Sequence, residues 1–166
     1  MEKSEWQGDQ IIEGIDPLIY LTANKFYETS KIVHHSFIEP KIMNLSFSIE
    51  LYLKSLNTKT TISKKGSTDV DTPILERKLE TTKGHELDLI FNRLKPKDQN
   101  NLTSLYLEKY NSNFRQDLFD IKNAFIDYRY SFEKDSLTIS LTIIERLADF
   151  LKEYIENEMK QSNFSR

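Results

Sequence analysis

Apolar residues at Phe114, Leu118, Ile121, Phe125, Tyr128 and Phe132 recur at intervals of four, three, four, three and four. That spacing lays one buried stripe along an α-helix. At roughly 100° per residue, Asn123, Asp127 and Tyr130 fall on the opposite side, so the same segment carries a polar face. Ile42, Leu45, Ile49, Tyr52 and Leu56 line one side of a helix that Pro40 can start, with Phe47 and Leu51 on its far side. Apolar residues on two faces make that helix central and heavily buried. A third stripe, Leu137, Leu141, Ile144, Ala148, Leu151 and Ile155, starts near Asp135, and Ile143, Leu147, Phe150 and Tyr154 widen it.

Punctuation supports the same reading. Asp16 followed by Pro17 reads as a helix cap with proline in the first turn, opening a helix through Ile19, Ala23, Phe26 and Val33 that stops near His34 and His35. Gly84 precedes a short helix carrying Leu87, Ile90, Phe91 and Leu94, which Lys95-Pro96 ends. Asp98 reads as the cap of the next segment, with Leu102, Leu105 and Tyr106 facing inward. Residues 97–166 contain neither glycine nor proline, which favours long helices. Between these helical segments, residues 57–83 turn polar and rich in Thr and Lys, with a weak apolar patch at Val70, Ile74, Leu75 and Leu79. That stretch reads as an excursion or loop, with a short hairpin as one form of it.

The pattern therefore predicts an all-α fold: an antiparallel up-and-down bundle of five or six helices in a single domain spanning residues 1–166. The extra apolar width of the last helix exceeds what one small bundle absorbs, and a homodimer would cover it.

Composition narrows the chemistry. The net charge of −3 argues against the broad basic surface that drives non-specific duplex DNA binding. Without cysteine, disulfides, thiolate zinc sites and cysteine nucleophiles are excluded. Residues 1–10 lack the basic start and apolar run of a secretory signal, and no 18-residue apolar stretch exists, so no membrane span and a cytoplasmic location are expected. His34 and His35 lack a nearby third ligand at metal spacing, there is no phosphate-cradling glycine loop, and no cofactor or metal is expected.

Three segments occur in order: Ser48-Ile49-Glu50-Leu51-Tyr52-Leu53-Lys54-Ser55-Leu56, Gly84-His85-Glu86-Leu87-Asp88-Leu89-Ile90-Phe91, and Lys122-Asn123-Ala124-Phe125-Ile126-Asp127-Tyr128-Arg129-Tyr130. Together they resemble the HEPN superfamily of helical bundles, over roughly residues 15–155. The resemblance implies a helical, usually dimeric domain whose relatives act as metal-independent RNases, as toxins of toxin–antitoxin or phage-defence systems, or as non-catalytic binding modules. Catalytic members of that superfamily carry Arg, a polar residue, then His four to six residues after the Arg. Here Lys122 stands for the Arg, Asn123 fits the polar position and Asp127 sits where the His belongs. Lysine lacks the planar fork of arginine, and a carboxylate does not replace imidazole as a neutral-pH acid and base.

The expected function is accordingly a non-catalytic binding or regulatory domain contacting a nucleotide, RNA or a partner protein; the alternative is an RNase with altered active-site residues. Lys122, Asn123, Asp127, Arg129 and Tyr130 are the binding candidates on one helix, either as a solvated face or as a cleft at a dimer interface, with Lys122 and Arg129 sharing a phosphate. Glu50 and Lys54 lie four apart and read as a pair that turns to Arg129 or Lys122 if buried. Arg129 and Glu133 repeat that spacing. His85, behind Gly84, either packs locally or meets an anion.

Overall fold

A computed structural model describes residues 8–68, 72–130 and 138–164, and every structural statement below refers to these. The described chain is mostly helical, with a small three-stranded sheet. In order it forms β1 (Gln10–Gly14), α1 (Pro17–Ile32), α2 (Ile38–Leu56), β2 (Thr58–Ser67), β3 (Pro73–Thr81), α3 (Leu87–Asn92), α4 (Pro96–Tyr110), α5 (Phe114–Asp120), α6 (Ala124–Arg129) and α7 (Leu141–Phe164).

Asp16 caps α1 as expected: its Oδ1 accepts from the backbone N–H groups of Leu18 and Ile19, both at 3.0 Å, with Pro17 at the first helical position. That position wastes no hydrogen bond, since proline has no N–H. Helix α2 begins at Ile38 and keeps Pro40 within its first turn, for the same reason. It packs against α1, α3, α6 and α7, and Ile42, Leu45, Ile49, Tyr52 and Leu53 are buried along it. Phe47, on the far side, stacks on Phe125 of α6 at 4.8 Å and meets Phe26 of α1 edge-on at 4.6 Å. The central helix is thus clamped from several directions.

The fold is not all-α. Strands β1, β2 and β3 form an antiparallel sheet in that order, pairing Gln10 with Ile62, Gly14 with Thr58, Thr58 with Thr81 and Ser67 with Pro73, with an irregularity between Lys64 and Gly66. The described residues of the polar excursion, 57–68 and 72–83, therefore carry the antiparallel strand pair of the short hairpin that was one expected form, and the segment before α1 adds a third strand. Its inward positions include the hydroxyl residues Thr58 and Thr60, so apolar alternation does not mark it. Asp16 ties this sheet to the helices: its side chain is 4% exposed, accepts from Thr60 Oγ1 at 3.3 Å and pairs with Arg77 of β3, while its N–H donates to the Ser55 carbonyl at 2.9 Å.

Three helical expectations need correction. The segment from Phe114 is not one continuous helix; α5 ends at Asp120 and α6 starts at Ala124, with Asn123 at φ −107°, ψ 7° between them. The stripe survives the break, since Phe114, Leu118, Ile121 and Tyr128 are buried and Phe125 is half-buried, while Phe132 lies outside the described residues. Asp98 does not cap α4, which starts at Pro96 after Lys95, and Leu105 is 44% exposed rather than inward. The last helix starts at Leu141, where Ser140 Oγ accepts from the Ile143 N–H at 3.4 Å; Asp135 and Leu137 lie outside the described residues.

The broad apolar face of α7 is used within the chain. Ile144, Leu147, Ala148, Phe150, Leu151, Tyr154 and Ile155 are all buried, and Phe150 meets Tyr106 at 5.0 Å and Phe114 at 5.9 Å. Of the residues that widen this face, Leu147, Phe150 and Tyr154 are buried within the chain and Ile143 is half-buried. No helix among the described residues is long and apolar enough to cross a membrane.

Candidate functional site

The candidate residues fall into two groups. Glu50, Lys54 and His85 come together; Lys122, Asn123, Asp127, Arg129 and Tyr130 are spread along and beside a short helix.

Glu50 and Lys54 sit one turn apart on α2, and the Glu50 side chain is 1% exposed. Gly84, at φ +97°, takes a left-handed backbone that residues with a Cβ seldom adopt, and so turns the chain to bring His85 over α2. His85 Nδ1 lies 3.0 and 3.2 Å from the two Glu50 oxygens, and Lys54 Nζ donates to Oε1 at 2.7 Å. An ionised carboxylate only accepts, so this contact puts a proton on Nδ1 and gives Nε2 the lone pair of the neutral ring. The imidazole is anchored at one nitrogen yet 56% exposed. The backbone clamps the arrangement: Leu87 N–H donates to the Lys122 carbonyl at 3.3 Å, and Thr81 Oγ1 donates to the Lys54 carbonyl at 3.1 Å.

Phe125 completes the surroundings. Its ring centre is 6.2 Å from that of His85, and it is the outer member of the Phe26–Phe47–Phe125 run of rings. A half-buried phenyl beside an exposed imidazole offers a ligand both a stacking face and a hydrogen-bonding edge.

The second group does not assemble as expected. Lys122 lies in the turn before α6, with Nζ 3.9 Å from the centre of the Phe119 ring. Arg129 ends α6, and its guanidinium carbon is 5.5 Å from the centre of the Tyr130 ring. The two cations therefore lie at opposite ends of α6, Lys122 in the turn before it and Arg129 at its last residue, each over a different ring. Asn123 and Asp127 are half-buried, Tyr130 is 41% exposed, and both Asp127 and Tyr130 have interaction partners. Glu50 turns to His85 rather than to Lys122 or Arg129. Glu133, the expected companion of Arg129, lies outside the described residues.

One polar cluster escaped the sequence reading. Asp117 of α5, 7% exposed, accepts from Tyr106 Oη at 2.7 Å, Ser112 Oγ at 2.9 Å and an Arg146 guanidinium nitrogen at 2.5 Å, and Arg146 Nε donates to Tyr106 Oη at 2.7 Å. Burial, and then its bond to Asp117, raises the Tyr106 phenol above its ordinary range. Each member finds its partner inside the cluster, so it fastens α4, α5 and α7 together. The sequence signal was an Asp beside Leu118 in the buried stripe, whose partner is not local.

No family model matches this chain, and neither does any curated protein or solved structure. Among the described residues, no group of three or more His, Cys, Asp or Glu is arranged to hold a metal ion. An exposed, oriented imidazole can accept or donate one proton, or donate a hydrogen bond to a phosphate when charged. Lys54, the cation on the same carboxylate, already spends a hydrogen bond on Glu50.

Proposed function

We propose that the chain is a non-catalytic, HEPN-like binding or regulatory domain, its helices arranged as an antiparallel up-and-down bundle, acting in the cytoplasm. Its ligand is a ribonucleotide or single-stranded RNA, held against His85 and Phe125. The observation that carries this reading is the exposed His85 ring fixed through Nδ1 to a buried carboxylate at 3.0 Å. Burying a carboxylate is costly unless it is paired, and packing alone gives no use for a ring held more than half in water. The order of the three segments that resemble the superfamily also favours it. The non-catalytic character is supported by Lys122 and Asn123 lying in the turn between α5 and α6 while Asp127 lies within α6, and by a single imidazole at the site where cleavage by general acid and base uses two groups.

A second reading, a metal-independent RNase in which His85 exchanges the proton, draws on the same fixed tautomer. One set of assays separates the two. Fluorescence polarisation with a labelled single-stranded RNA and with ribonucleotides should show binding that His85→Ala and Phe125→Ala weaken, with the RNA intact on a gel. Cleavage abolished by His85→Ala selects the RNase. Robust cleavage lost in Lys122→Ala and Asp127→Ala would remove the non-catalytic reading, and no binding by the wild type would remove both.

A further inference from the structure

The outward face of α1 carries no residue of the proposed site, yet it is strongly patterned. Leu18, Leu21, Lys25, Glu28 and Ile32 recur at intervals of three, four, three and four, the a and d spacing of a coiled-coil seam. At roughly 100° per residue they fall within about 80° of one another, opposite Ala23 and Tyr27, which turn to the core. The apolar members are open to solvent: Leu18 is 57% exposed, Leu21 52% and Ile32 84%. A groove of about 710 Å³ follows this face, lined by α1 residues from Leu18 to Ile32. Lys25 and Glu28 are exposed, and neither forms an ion pair among the described residues.

The order of side chains selects the occupant. In an antiparallel pair of helices an a position faces a d position of the other strand. Laying the seam on itself in that sense sets Leu21 against the second copy's Ile32 and Lys25 against the second copy's Glu28, each twice by symmetry. A parallel arrangement would oppose lysine to lysine and glutamate to glutamate, and a purely apolar partner would bury both charges unpaired. We propose that the α1 seam is a homotypic docking surface on which a second copy lies antiparallel about a two-fold axis. Sixteen residues of helix give a seam of about 24 Å, the small end of specific interfaces, so the dimer forms and separates with concentration.

Sedimentation velocity over a concentration series tests this. The wild type should move from monomer to dimer as concentration rises. Lys25→Glu and Glu28→Lys should each raise the dissociation constant by about tenfold, and the double variant, with the charges exchanged, should restore it. Both positions are exposed, and circular dichroism checks that the variants fold. The chain has no cysteine, so the register can be read directly: Leu21→Cys mixed with Ile32→Cys should crosslink on oxidation, whereas neither variant should crosslink alone. A monomer at every concentration overturns the proposal. So does a dimer indifferent to both reversals, a double variant as weak as the single ones, or Leu21→Cys crosslinking to itself.

Discussion

Replacing Glu50 with alanine tests how firmly the buried carboxylate holds its surroundings. Its side chain is 1% exposed and meets Lys54 at 2.7 Å and His85 at 3.0 Å. Without it Lys54, only 14% exposed, loses its anionic partner. Removing one member of a buried pair costs about 3–5 kcal/mol. Lysine can carry its ammonium toward water along a flexible stem and His85 is already in solvent, so the low end applies, about 3 kcal/mol. For a chain of this size each kcal/mol moves the melting midpoint by about 2–4 °C, so Tm should fall by about 6–12 °C. A companion variant, Glu50→Leu with Lys54→Met, replaces both charges by apolar groups of similar volume and should recover most of that loss. Urea titration and thermal melting followed by circular dichroism measure both. A loss below about 1 kcal/mol for Glu50→Ala would refute the reasoning, because that is the scale of a solvent-exposed pair; so would a double variant no more stable than the single one.

Asp16→Ala removes the α1 cap and the tie to Thr60 and Arg77. It should cost about 2 kcal/mol, the upper end for a lost cap, and speed amide exchange in β2 and β3; unchanged protection there would argue that the sheet holds without it. At high pH, burial pushes the Tyr154 phenol up to about 12 and also raises Tyr20, Tyr27, Tyr52 and Tyr106. An unfolded phenol ionises near pH 10, so the native state keeps protons that the unfolded state gives up. This stabilisation is whole below about pH 10 and is lost as the pH climbs toward 12. Helical circular dichroism should fall as these five phenols ionise in that window, their share of the absorbance assigned with single Tyr→Phe variants; ionisation of the five near pH 10 with the helices intact would contradict it.

Much of the helical layout is legible because it rests on local rules. The Asp16–Pro17 cap, the two-sided burial of α2 and the turn at Gly84 each follow from a few neighbouring residues. The break between α5 and α6 is not, because intervals of three and four fit a continuous helix and a helix interrupted by one turn equally well. A short hairpin is one reading of residues 57–83, but the three-stranded sheet was not legible, for a different reason. Thr58 and Thr60 fill inward positions that normally read as apolar, and β1 gains its meaning only from β2, far along the chain. The β-branched run Thr58, Thr60, Thr61 and Ile62, between Asn57 and Gly66, was the available signal. In the candidate site, the short-range pair of Glu50 and Lys54 is readable from spacing. That His85 rather than Lys122 completes it depends on how α3 folds back on α2.

The pairing of Gly14 with Thr58 has a consequence for how the molecule comes together. Those residues stand just outside the two ends of the α1–α2 unit, so β1 and β2 act as a buckle fastening a belt of helix. The ends must be brought close before the buckle can shut, and the entropy of closing so long a loop falls on that step. A chain lacking its first fourteen residues would leave one margin of β2 bare, open to a strand from another molecule.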